Sequence, residues 1–161
     1  MVQGESPDLV PVARDLTAEP AMQGFPFTAR VQVRWCDCDA FRHVNNAAVI
    51  SYLEIARAEL WRQRFGGADV LDIPFVIKHL ECDFRRPMRL YDDVRVGLKP
   101  EAVGRTSFAF SYAVEANGTL AATARTVQVC IRHESGRPIR VPEHLRRQLD
   151  TLLQSCPGVT V

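Results

Sequence analysis

From Phe27 the chain alternates apolar and polar residues without a break. Phe27, Ala29, Val31, Val33 and Trp35 fall on one side, and Thr28, Arg30, Gln32 and Arg34 on the other. A strict period of two predicts a strand with one buried face. Over residues 47–65 the period lengthens: Val49, Leu53, Ala56 and Leu60 recur at spacings of four, three and four, which predicts a helix. Ile50, Tyr52, Ile55, Trp61 and Phe65 widen its apolar surface, so this helix is expected to be largely buried. Gly66-Gly67 supplies its stop. Strand patterns then return over 75–86, 94–99, 106–116 and 120–132, and Asn117-Gly118 between the last two is a tight-hairpin signal. Pro142 opens a short helix with Leu145, Leu149, Leu152 and Leu153 on one face.

One strand, a long helix and four strands joined by short turns predict an α+β fold with a mainly antiparallel sheet. One apolar helix needs a sheet curled around it. Such a sheet keeps exposed edges, so an oligomer that pairs edges is expected.

Composition narrows the function. The 161 residues suit one domain with a core of useful size. A net charge of +1 provides no bulk field for nucleic acid or an acidic membrane. No apolar run approaches the length of a membrane span, and the first residues, Met1-Val2-Gln3-Gly4-Glu5, show no signal-peptide pattern. Five cysteines, an odd count lying mostly in strand patterns, predict free thiols in a reducing, cytoplasmic setting. Cys36-x-Cys38 lacks a second ligand pair at zinc-like spacing, so no metal is expected. Residues 1–24 carry no sustained period and read as an extended or mobile arm, either a tail or a segment lying across a partner subunit. The single domain is expected over 25–154, with a tail over 155–161.

The chemistry concentrates between the first strand and the long helix. There the chain reads Trp35-Cys36-Asp37-Cys38-Asp39-Ala40-Phe41-Arg42-His43-Val44-Asn45-Asn46. A helix start carries free N–H groups and a partial positive charge, which suit a polarised oxygen. A carboxylate beside such a start is a hydrolase-like arrangement. Asp37 fits a structural role, bonding loop N–H groups. Asn45 and Asn46 are good helix-cap residues. Glu54 and Arg57, three apart on the helix, are placed to pair.

These residues resemble the hotdog-fold acyl-CoA thioesterases of the 4-hydroxybenzoyl-CoA thioesterase type, over roughly residues 27–140. The blocks that carry the resemblance are Arg34-Trp35-x-Asp37-x-Asp39-Ala40 with His43-Val44-Asn45-Asn46, then Tyr52-Leu53-Glu54-x-Ala56-Arg57, then Phe84-Arg85-Arg86-Pro87 with Tyr91-Asp92-Asp93-Val94. The resemblance implies a five- to six-stranded antiparallel sheet wrapped around one central helix, to which the leucine spacing after Pro142 adds a short C-terminal helix. It implies dimers or tetramers with sites between subunits. Asp39 stands where the family has its catalytic carboxylate, acting as nucleophile or as general base toward water. The backbone N–H of Asn46 stands where the family polarises the thioester carbonyl. His43 is expected to orient Asp39, water or substrate. Asn45, Arg85, Arg86 and Ser107 are candidates for substrate binding, the arginines through CoA phosphates.

No cofactor is expected beyond CoA as part of the substrate, and the thioester partner is an acyl-CoA or an acyl-carrier protein. Tyr52, Ile55, Trp61, Phe108 and Phe110 are either an acyl pocket or core. Two other functions fit the same residues. One is a hotdog hydratase or dehydratase, since Asp39 and His43 are suitably spaced. The other is a non-catalytic acyl-CoA or acyl-carrier binding module.

Overall fold

A computed structural model of the chain describes residues 22–66 and 73–155. Strand β1 (Phe27–Gln32) runs into a 3-10 turn at Trp35–Asp37. Helix α1 (Asn46–Leu60) follows and continues as a π-helical turn over Trp61–Phe65. Then come β2 (Phe75–Phe84), β3 (Asp93–Val103), β4 (Ser107–Ala116), β5 (Thr119–Cys130) and α2 (Glu143–Gln154). The strands form one antiparallel sheet in the order β1-β3-β4-β5-β2. Helix α1 lies on β1 and β3, and α2 packs against β3 and the π-helical turn. This is the expected α+β hotdog architecture, with five strands.

Alternation decides which side of the sheet each residue serves. Phe108, Phe110, Tyr112 and Val114 of β4 and Val94, Val96 and Leu98 of β3 face the core with α1. An edge-to-face series of rings runs from Trp61 through Phe75, Phe108 and Phe110 to Tyr112, with centroids 5.2–6.4 Å apart. Tyr52, Trp61, Phe108 and Phe110 are therefore core residues, while Ile55 is 45% exposed.

Several expected boundaries move for physical reasons. The strand pattern extends through Trp35, yet Trp35 is 83% exposed, because β1 ends at Gln32 and the 3-10 turn rotates the next residues. Helix α1 buries one face (Val49, Tyr52, Leu53, Ala56 and Leu60) and leaves Ile50 and Ile55 outside, so it is less buried than its composition suggests. Strand β3 runs on through Pro100 to Val103. Its pairing with β1 stops at Leu98, so Pro100 lies beyond β1 and beside a register shift, where a missing N–H costs little. Pro142 caps α2 rather than forming its first turn, and Leu153 is only partly buried. Gly66 ends the helical run at φ +68°; Gly67 lies outside the described residues.

Residues 1–21 of the expected arm and 156–161 of the expected tail, Cys156 included, also lie outside the described residues. Met22 and Phe25 fold back over Gly97, on the face of β3 away from α1. A Cβ there would come within 2.8 Å of both side chains, so the close approach requires glycine. In the hairpin, Asn117 and Gly118 take φ +52° and +80°, the pair of left-handed values a two-residue turn demands.

Candidate active site

The site begins where β1 stops. The Arg34 backbone N–H donates to Asp37 Oδ2 at 2.8 Å, and its guanidinium donates to Asp37 Oδ1 from Nε at 3.1 Å and Nη2 at 2.8 Å. The Tyr52 hydroxyl, on the buried face of α1, donates to Asp37 Oδ2 at 2.9 Å. Asp37 is 4% exposed. The hydrogen bond from the Arg34 side chain holds its carboxyl below the usual carboxylate range, against burial, which pushes the other way. Burial first, then the bond to Asp37, pushes the Tyr52 hydroxyl well up.

Asp39 sits in a small loop. Its Oδ1 accepts from the Phe41 N–H at 2.8 Å and the His43 N–H at 3.4 Å. Its own N–H donates to the His43 carbonyl at 2.8 Å, and Arg42 closes the loop at φ +61°. Asp39 Oδ2 has no hydrogen-bond partner among the described residues. One carboxylate oxygen is thus anchored and the other is open. The next residue after the loop, Val44, donates its N–H to the Met88 carbonyl at 2.8 Å.

Helix α1 begins immediately afterwards. Asn45 is its cap, and its Oδ1 accepts from the Ala47 N–H at 2.8 Å. The Ala48 and Val49 N–H groups donate to the Asn45 carbonyl at 2.9 and 3.2 Å. The Asn46 N–H is left without a partner among the described residues. It is the one first-turn donor still open at the positive end of the helix.

Asp39, His43, Asn46, Arg85 and Arg86 all line one cleft of about 280 Å3, with Phe84 and Met88 among its apolar walls. The Arg85 and Arg86 N–H groups both donate to the Ala121 carbonyl, at 2.8 and 3.1 Å, which anchors their backbone at the cleft rim. Asn45 uses its side chain for the cap and does not line the cleft. Ser107 lies on the sheet face away from α1 and lines a separate cleft of about 470 Å3 with Val127 and Val129, so within one chain it is not brought to Asp39. Glu54 is exposed, and Arg57 donates to the Tyr112 hydroxyl at 3.1 Å instead of pairing with it. Cys36 and Cys38 gather no third ligand: among the described residues no His, Cys, Asp and Glu side chains cluster in a way that could hold a metal. Sequence reasoning missed Tyr52 as a partner of the junction. Its only signal was a hydroxyl on the buried face of α1.

The arrangement presents an open carboxylate oxygen and an open helix-start N–H in one cleft with two arginines. Fold and site together define a hotdog-fold thioesterase. Residues 33–149 match the model of the Thioesterase-like superfamily, and the chain belongs to that family. It is similar to the crystal structure of a thioesterase from Thermus thermophilus complexed with coenzyme A and Zn. That likeness has a TM-score of 0.76 and 38% identity, and covers 83% of this chain and 98% of that one. It is also similar to the 1,4-dihydroxy-2-naphthoyl-CoA hydrolase of Synechococcus elongatus, at 30% identity over 71% of this chain and 88% of that one. The long-chain acyl-CoA thioesterase FadM of Escherichia coli is 26% identical over 78% of this chain and 98% of its own length.

Proposed function

We propose that this thioesterase hydrolyses acyl-CoA thioesters in the cleft between Asp39 and the start of α1. The observation that carries the proposal is the pair of unused groups there, Asp39 Oδ2 and the Asn46 N–H. The thioester oxygen accepts from the Asn46 N–H, and the helix end stabilises the charge that develops on it. Asp39 Oδ2 then either attacks the carbonyl carbon or takes a proton from an attacking water. In the first route a mixed anhydride forms, CoA leaves as the thiolate, and water cleaves the anhydride. In the second, water adds directly and CoA leaves from the tetrahedral intermediate. Both give free acid and CoA. His43 orients the reacting groups from the cleft wall, and Arg85 and Arg86 take the CoA phosphates. The names of the similar proteins support CoA as the thiol.

The same reading makes the active unit a homodimer. Strand β2 is an edge, and Val76, Ile77 and Phe84 on it are 46%, 39% and 43% exposed. Phe84 also lines the cleft, so a second copy on this edge would complete the site wall. Light scattering after gel filtration should give twice or four times the chain mass; a monomer would refute the dimer. The reading places the protein in the cytoplasm, where CoA thioesters are made and the described cysteines stay as free thiols. Among the described residues no helix is long and apolar enough to cross a membrane.

The activity is tested with a panel of acyl-CoA thioesters and a thiol-trapping dye. Thiol release that falls about a hundredfold or more in Asp39→Asn is expected for loss of a positioned acid–base group. Hydration of an enoyl-CoA without thiol release would overturn the proposal in favour of a hydratase.

A further inference from the structure

We propose that Asp37, held by Arg34 and Tyr52, is the positioning residue of the carbonyl-polarising group, the Asn46 N–H. This rests on the thioesterase mechanism above and adds a residue outside the cleft to it. Asp37 does not line the cleft, so it touches neither substrate nor water there. Its carboxylate takes bonds from three groups of Arg34 and from Tyr52, which leaves it little capacity to act as a base.

Its geometry shows what it does instead. The Asp37 carbonyl accepts from the Asn45 N–H at 2.8 Å. The Asn46 N–H belongs to the planar peptide whose other end is the Asn45 carbonyl. That carbonyl is held by the Ala48 and Val49 N–H groups, and the residue bearing it is held from behind by Asp37. The direction of the open N–H is therefore set by bonds on both sides. The Asp37 carboxylate fixes its own backbone relative to two elements at once, the end of β1 through Arg34 and the second turn of α1 through Tyr52. The bridge between Cys38 and Val44 carries the same frame to the Asp39 loop.

Burying the Asp37 carboxylate is a poor choice for stability alone, because its desolvation offsets much of its attraction to Arg34, whose side chain stays largely exposed. A well-packed apolar trio would hold a helix start to a strand end, but it would not fix an amide direction. A polarising donor must meet the oxyanion, and a misplacement on the order of 1 Å can cost about a hundredfold in rate.

The test is Tyr52→Phe, which removes one hydroxyl and keeps the ring in the core. Steady-state thiol release on the best acyl-CoA of the panel is measured well below the melting temperature, beside Asp39→Asn and Arg34→Lys. Tyr52→Phe should lower kcat about tenfold with KM within about twofold, because the lost alignment matters in the transition state and not in CoA binding. Arg34→Lys, which keeps the charge and loses the fork, should show the same split. The pH dependence of kcat should keep its wild-type shape, since no titrating catalytic group has changed. A kcat within twofold of wild type in both Tyr52→Phe and Arg34→Lys, with Asp39→Asn inactive, would overturn the positioning role and leave the mechanism standing. So would a rise in KM at constant kcat. If Asp39→Asn keeps wild-type thiol release, the mechanism itself has failed. If Arg34→Lys does not fold, Tyr52→Phe alone decides.

Discussion

Asp37 and Asp39 are two residues apart and meet opposite surroundings. Asp37 is buried under α1, and both of its carboxylate oxygens are engaged by Arg34 and Tyr52. Asp39 stands half-buried at a cleft, with one oxygen held by two backbone N–H groups and the other open. In a continuing strand the two would lie on one face. The 3-10 turn at Trp35–Asp37 breaks that alternation and sends one acid inward and the next to the cleft. Saturation of its hydrogen bonds makes a carboxylate a fixture, and an unfilled lone pair leaves one free for the reacting role proposed for Asp39. Residue type does not distinguish them; the number of donors within reach does.

The sharpest way to break this contrast is to neutralise each acid in turn. Asp39→Asn should cost about a hundredfold in thiol release and leave the melting temperature unchanged, because its anchoring oxygen survives as an amide carbonyl. Asp37→Ala should do the reverse in stability. It strands the buried Tyr52 hydroxyl, at about 1–3 kcal/mol for a group left unpaired, while the exposed Arg34 side chain returns to water. That corresponds to a melting temperature lower by roughly 2–4 °C per kcal/mol for a chain of this size, measurable by calorimetry. Equal melting temperatures would show that the junction is not held by this acid.

Acid sharpens the contrast further. The Asp37 carboxyl is held below its ordinary value of 3.8, so its stabilisation is fully present above that value. It is lost as pH falls through the lowered value of the folded state. The gap in melting temperature between wild type and Asp37→Asn should stay constant above about pH 5 and narrow below about pH 4. A gap that widens toward acid would assign the stabilisation to another group. The smallest effect comes from a second arginine–acid pair at the same spacing. Glu59 is pulled down to about 2 by hydrogen bonds from Arg62 and then Gln63. Yet that pair joins the end of α1 to the π-helical turn on the open surface, where solvent and salt screen it. Glu59→Gln should leave the melting temperature unchanged within error.

Much of the frame is legible in the chain before it folds. The alternation from Phe27 to Val33, the four-three-four spacing along α1 and the Asn117-Gly118 turn each correspond to the element they predict. Asp39, His43, Asn46, Arg85 and Arg86 meet in one cleft as the motif order suggests. What stays hidden depends on parity or on tertiary reach. Ser107 belongs to a correctly expected strand, but one step along a strand exchanges sheet faces, and the choice of face needs the partner strands. Trp35 continues the pattern by type and leaves it in space, because an Arg34–Asp37 clip terminates the strand. The bond from Tyr52 to Asp37 depends on where the whole of α1 is laid down.

That bond also bears on how the junction assembles. It joins residues fifteen apart, whereas the pairing of Phe75 with Cys130 at the sheet edge joins residues fifty-five apart. Closing the shorter loop costs less chain entropy, by about 1 kcal/mol in the simplest polymer estimate. Every bond that links Arg34, Asp37, Asn45 and Tyr52 is local in this sense. The junction proposed to aim the reacting groups is therefore one that the chain can close before the two ends of the sheet-edge pairing have found each other.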